Sequence, residues 1–356
     1  MMRDNYRIFS SATIAGSGNQ FFFSLGEKKH GLGRIFYKIS VEGTYKYSLL
    51  FSNVINTTYA DGKQSHADLK CGEWMLHAAK VGVCDKADAD ADIEMTQLTF
   101  GGMTDKLVGV GDEFWSDAVT LTFKKGQYLC FEAEYSGEMI PYHEETILPC
   151  FVFEDGKWSE GRKIPFPSMI GCDRPISKRI AFFGDSITQG IGTEVDSYDH
   201  WCAVLSDMLD GSNAYWNLGL GYARAEDAAL DGVWLNKAKK NDIVFVCLGT
   251  NDVFHVGSKE RLISSLGKIV DKLNDVGIEV ILITLPPFDQ HGMFIDIWNS
   301  ANEFIKTELS KKVKTVFDVV PVLCGDEPWE AKYGGHPNAE GCKKWAMALF
   351  EHLKNI

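Results

Sequence analysis

The sequence of 356 residues contains no Cys-x-x-Cys pair, no apolar run of membrane-spanning length, and no cationic stretch leading into an apolar one near its start. The first absence leaves a structural zinc site without support. The second excludes a transmembrane helix, which needs about 20 consecutive apolar residues. The third, over MMRDNYRIFSSATIAG, means that the start does not read as a signal peptide. Basic residues are in deficit: 36 Lys and Arg stand against 49 Asp and Glu, a net charge of −13. Such a chain lacks the clustered cationic surface that nucleic acid or an anionic membrane requires, so neither is an expected partner. The nine cysteines are odd in number and irregular in spacing. Cys130 and Cys247 sit inside apolar runs, where a thiol behaves as a small hydrophobe. A cytoplasmic location is the expectation. With 45% hydrophobic and 24% charged residues the chain has ordinary globular composition, and its length suits two domains.

The two halves differ in pattern. From about residue 7 to 170, short runs rich in aromatic and β-branched residues are broken by Gly, Asn and Asp; YKYSLLFSN, SDAVTLTFKKG and QYLCFEAEYSG are examples. That pattern predicts an all-β sandwich over 1–172. The acidic stretch DKADADAD (85–92) lacks the Gly and terminal Glu of an EF-hand loop and reads as a solvated loop. After PFPSMIGCDRPISK (165–178), apolar strands alternate with amphipathic segments. Strands are expected at 179–184, 214–218, 242–249, 279–286 and 314–319, and helices near 198–210, 224–240, 258–276, 293–312 and 338–354. Continuously apolar strands between helices predict an α/β domain with a parallel sheet over 173–356.

Four strand-to-helix junctions of this second half carry chemistry. FFGDSITQG (182–190) puts Ser186 on a tight turn at the carboxyl end of a strand, where open α/β sheets bind ligands. Asp185 or Ser186 is equally suited to cap the next helix. CLGTNDVF (247–254) places the two N–H groups of the Asn251 amide at the next such end. NLGLGYARAED (217–227) brings glycines that let backbone amides approach a ligand. GGHPNAEG (334–341) sets His336 before a proline, which disfavours helix there. A serine needs a base within hydrogen-bond reach, and a tetrahedral intermediate needs preorganised donors. Together the four junctions meet the requirements of acyl transfer.

The blocks GDSITQG, N-x-G-x-G, GTND and HPNAEG resemble, in order and rough spacing over 178–354, those of the SGNH/GDSL hydrolases, a family of esterases and lipases. The resemblance implies a three-layer α/β/α flavodoxin-like domain that needs no metal or other cofactor. It implies Ser186 as nucleophile, Asn251 as side-chain oxyanion donor and His336 as general base. In the second block the oxyanion amide falls on Tyr222, with Gly221 beside it, and both are candidates. The fourth block departs from the family: Tyr333 stands where the Asp three residues before the His is usual. A backbone carbonyl orienting His336 in a Ser-His dyad, a substitute carboxylate from Asp326 or Glu330, and an impaired site are the alternatives. The N-terminal half resembles the jelly-roll segment that precedes the hydrolase domain in some carbohydrate esterases.

The resulting expectation is a serine esterase acting on a small-molecule or oligosaccharide ester, with the acyl group an acetyl. A lipase or thioesterase for longer acyl chains and an inactive carbohydrate-binding protein are the alternatives. Asp185, His200, His255 and Trp329 are candidate substrate-binding residues. Trp201 and Trp234, inside helical patterns, are expected in the core. The sequence does not indicate an oligomeric state.

Overall fold

The computed structural model describes residues 5–26, 29–57, 67–255 and 258–355. The chain divides into two compact units, one of Met1–Asn56 with Asp68–Pro175 and one of Thr57–Ala67 with Ile176–Ile356.

Among the described residues, the first unit holds two two-stranded antiparallel sheets and two larger ones. In the larger, Gly31–Lys38, Tyr128–Gly137 and Trp74–Cys84 lie side by side, flanked by shorter strands. In the other, Gly43–Ser52 pairs with Met169–Cys172 on one side and with Glu113–Trp115 and Val119–Phe123 on the other. Strand periodicity decides which side chains turn inward: along Val119–Phe123, Leu121 and Phe123 are buried while Thr120 and Thr122 are exposed. The inner faces meet in an apolar core, where the Phe51 ring of one sheet lies 5.8 Å from the Phe131 ring of the other. The aspartates of the 85–92 loop are all exposed, and Arg34 donates to the Ala89 carbonyl at 2.6 Å to hold it.

The second unit is built on five parallel strands: β1 (Arg179–Gly184), β2 (Ala214–Asn217), β3 (Ile243–Cys247), β4 (Glu279–Ile283) and β5 (Thr315–Phe317). Their spatial order is β2-β1-β3-β4-β5. The chain leaves β1 for one side and returns on the other, so a crevice opens between the carboxyl ends of β1 and β3. Successive side chains of β1 point to opposite faces. Phe182 meets Trp201 at 5.2 Å and Phe183 meets Trp234 at 4.3 Å, which explains why this strand is apolar without alternation. Trp201 begins α2 (Trp201–Met208) and stacks at 4.6 Å on Trp345 of α9 (Ala339–Leu353). Of the other helices, α1 is Ser186–Gln189, α3 Ala225–Ala228, α4 Val233–Ala238, α5 Thr250–His255, α6 Lys259–Asn274, α7 Ile295–Thr307 and α8 Val320–Leu323. In α6 the stripe Leu262, Leu266, Ile269, Val270 and Leu273 is buried, as its spacing predicts.

Two expectations are corrected. The helix expected over 224–240 is two short ones, α3 and α4, because the chain turns at Asp231 and Gly232 caps α4 in an extended conformation. The helix expected from 198 begins at Trp201, because Tyr198 has a left-handed backbone (φ 55°) that a right-handed helix excludes.

Candidate active site

The turn that carries the candidate nucleophile Ser186 follows from three local constraints. β1 ends at Gly184, where a side chain would collide with Thr188 and with the Cys247 carbonyl of the neighbouring strand. Asp185 is extended, and its carboxylate accepts the Ile187 amide at 3.0 Å, capping α1. Gly190 closes α1 in the left-handed region, φ 116°, which glycine enters without strain. Ser186 thus opens a one-turn helix and is 8% exposed. Its Oγ lies 2.8 Å from His336 Nε2, although the two residues are 150 positions apart in the chain.

The loop after β2 is sewn to that turn. Asn217 donates to the Thr188 carbonyl at 3.0 Å and accepts the Gly219 amide at 2.8 Å. A side chain at Gly219 would run into the Thr188–Gln189 backbone. The Gly221 amide donates to Gln189 Oε1 at 2.6 Å, so of the two candidate oxyanion amides Gly221's is engaged inside the protein. Tyr222 follows with φ 61°.

Asn251 lies in the first turn of α5 and donates through Nδ2 to the Ala223 carbonyl at 2.8 Å. Its neighbour Asp252 accepts the amides of Ala225 and Glu226, at 2.7 and 3.1 Å, and so caps α3 from another element. Arg224 is buried and pairs with Asp227 at 2.9 Å. Asp227 also accepts the Thr57 hydroxyl at 2.8 Å. Burial pushes the Asp185 carboxyl up to about 7, with the charge of Asp252 adding and the Ile187 amide and Thr250 hydroxyl opposing. Burial likewise raises Asp252, to about 6, against its two amide donors and Arg224.

His336 sits in the loop before α9, which Asn338 caps by accepting the Gly341 amide. Burial is the one cause that holds the imidazole below its usual range, favouring the neutral form a base needs. Among the described residues, its hydrogen-bond partner is Ser186. Of the three candidates for orienting it, two face other partners. Tyr333 packs between the ammonium groups of Lys344, at 5.2 Å, and Lys332, at 5.8 Å. Glu330 accepts the amides of Asp326 and Glu327, at 3.0 and 3.1 Å, stabilising its own turn. Asp326 is exposed on that turn.

The substrate-binding candidates fare unevenly. Asp185, 1% exposed, is a cap and not a lining residue. His200 is 0% exposed at the start of α2 and presents no surface to a ligand. The side chain of His255 lies outside the described residues. Trp329 lines a groove of about 610 Å³ with Asp289, Asp326, Glu330 and Lys332. Sequence reasoning missed Gln189, Asp252 and Phe288. Phe288 lies 5.7 Å from the His336 ring, with the two ring planes at 79°. Among the described residues no cluster of three or more His, Cys, Asp or Glu is placed to hold a metal. None of their helices is long and apolar enough to cross a membrane.

No curated protein matches the chain. Among solved structures, a member of the lipolytic protein G-D-S-L family from Veillonella parvula DSM 2008 is 18% identical with a TM-score of 0.42; the match covers 50% of this chain and 99% of that one. A family two carbohydrate esterase from Clostridium thermocellum, solved with cellohexaose, is 14% identical with a TM-score of 0.40, over 96% of this chain and 93% of that one. A family 3 carbohydrate esterase from Talaromyces cellulolyticus is 18% identical with a TM-score of 0.38, over 50% and 97%. Residues 182–344 match the GDSL-like lipase/acylhydrolase family, and that segment contains Ser186, Asn251 and His336. Residues 182–344 are thus a GDSL-like lipase/acylhydrolase domain, that of a carboxylic ester hydrolase.

Proposed function

We propose that the protein removes a short acyl group, an acetyl, from a carbohydrate ester by a Ser186–His336 dyad. The observation that carries this reading is the 2.8 Å separation of Ser186 Oγ and His336 Nε2 at the crevice between β1 and β3. The neutral imidazole takes the hydroxyl proton as Oγ attacks the ester carbonyl. The tetrahedral oxyanion is met by the amides of Ser186 and Tyr222 and by the Asn251 side chain. Asn251 has two N–H groups on Nδ2, and the bond to Ala223 fixes the amide plane so that the second is aimed by the fold rather than by solvent. His336 then returns the proton to the departing alkoxide, and a water molecule activated by the same imidazole releases the acid.

A dyad suffices on energetic grounds. Loss of the third member of a Ser-His-Asp triad lowers the rate by about 10⁴, yet substantial catalysis persists. A groove lined by Trp329, Asp289, Asp326, Glu330 and Lys332 sets an aromatic side chain among polar ones. Sugars present C–H faces and hydroxyls that suit such a lining. We assign the first unit as a jelly-roll-like sandwich and the second as a flavodoxin-like three-layer domain.

The test is a series of p-nitrophenyl esters from two to twelve acyl carbons, together with an acetylated and a deacetylated oligosaccharide. The reading expects kcat/KM to be highest for acetyl and acetate to be released from the oligosaccharide. Highest activity on long chains with no acetate release contradicts it.

A further inference from the structure

We propose that Phe288 is the positioning residue of His336, setting the imidazole by aromatic packing in place of a carboxylate. The proposal rests on the reading of His336 as the base. An imidazole aimed at a serine has to be held against rotation, and a carboxylate on Nδ1 is one means of doing so. Here Tyr333 and Glu330 face other partners, and Asp326 is exposed on its turn. The geometry supplies a different restraint.

The Phe288 and His336 rings meet edge to face, with centroids 5.7 Å apart and planes at 79°. Phe288 also fills the space beside the residue before the histidine. A Cβ at Gly335 would lie 2.7–2.8 Å from Cε2, Cδ2 and Cζ of Phe288. Glycine at 335 is therefore what lets the ring lie flush against the loop. Gly192 adopts φ +100°, and a Cβ there would lie 2.6 Å from the His336 carbonyl oxygen and 2.9 Å from the His336 Cβ. Gly192 thus crowds the His336 main chain while the Phe288 ring meets its imidazole.

The ring is itself supported. Phe254 of α5 packs on Phe288 at 5.2 Å, and Phe294 on Phe254 at 6.2 Å. Asp289, next in the chain, accepts the Ala331 amide at 2.8 Å, so the Phe288 segment is pinned to the stretch that leads into His336. Phe254 lies one helical turn from Asn251, so the packing behind the base continues into the helix that carries the Asn251 donor. The same packing keeps the imidazole dry, and burial is the one cause of its lowered proton affinity.

The experiment compares Phe288→Ala, Phe288→Leu and Phe288→Tyr with the unaltered protein on p-nitrophenyl acetate across pH 4.5–9. Misplacing a reacting group by about 1 Å costs on the order of 10² in rate. Phe288→Ala and Phe288→Leu are expected to lose about 10- to 100-fold in kcat with KM changed less than threefold. In Phe288→Ala the acid limb of kcat/KM moves up toward the usual imidazole value. Phe288→Tyr, which keeps the ring, stays within about threefold of the unaltered kcat. Unaltered kcat and acid limb in both Phe288→Leu and Phe288→Ala overturn the proposal. If Phe288→Ala does not fold, Phe288→Leu alone decides, since it keeps apolar volume without the ring plane. Ser186→Ala and His336→Ala are measured in parallel. If those two retain activity, the dyad reading itself has failed, an outcome separate from any result at Phe288.

Discussion

Gln189 Oε1 accepts the Gly221 amide at 2.6 Å, which ties the loop after β2 to the last residue of the helix that Ser186 opens. The bond joins residues 32 positions apart and is buried. A buried amide left without its acceptor bears the full desolvation penalty, about 1–3 kcal/mol, or moves to find another partner. Gln189→Ala is therefore expected to displace the Gly221–Tyr222 backbone and to lower kcat on an acetyl ester by about tenfold or more. Gln189→Glu keeps an acceptor and should retain more activity. Steady-state kinetics of the two variants check this, and an unchanged kcat in Gln189→Ala refutes it.

Asn251 is expected to act mainly on the transition state. Its bond to Ala223 orients the amide without engaging the second N–H of Nδ2. Removing one oxyanion donor typically lowers kcat by about 10²–10³. Asn251→Ala should show a loss of that order with KM little altered, and Asn251→Asp, which supplies no N–H, should be no better. A large KM effect at constant kcat would assign Asn251 to ground-state binding instead.

Stability should respond to pH through the two buried aspartates. Asp185 titrates near 7 in the folded chain against an ordinary value of 3.8, and Asp252 near 6. A raised carboxyl means that the folded state binds the proton more tightly than the unfolded state. The stability this lends is fully present below about pH 4 and is lost as pH rises through about 7. Asp185→Asn keeps the capping oxygen for Ile187 and removes the charge. Relative to the unaltered protein, this variant should gain stability on going from pH 5 to pH 7, by about 1 kcal/mol per pH unit. Urea unfolding at several pH values measures the difference, and a pH-independent difference contradicts the sign.

Ser186, Asn251 and His336 are legible in the sequence because each stands at the end of an apolar strand or the start of a helix, where the period changes and Gly or Pro marks a turn. The helix α6 is legible for a similar reason: its apolar spacing and Gly277 agree on one element. The supporting residues are not legible. Gln189, Asp252 and Phe288 act across 27 to 48 positions of chain, on Gly221, Ala225 and His336, and no local pattern announces such partners. His200 shows the converse. Proximity to Ser186 in sequence suggests a rim residue, but α2 begins there and carries the ring inward with Trp201. The break at Asp231–Gly232 is hidden because Val233–Ala238 continues the helical composition of Ala225–Ala228. Tyr333 reads as a departure at the orienting position, and its packing on Lys344 and Lys332 is a property of the folded loop.

The most direct measurement is the rate and place of covalent labelling by a fluorophosphonate, read by intact mass and by peptide mapping. The account predicts one adduct, on Ser186, absent in Ser186→Ala and slowed by at least about a hundredfold in His336→Ala. A folded protein that takes no label, or one labelled equally fast in Ser186→Ala, would contradict it.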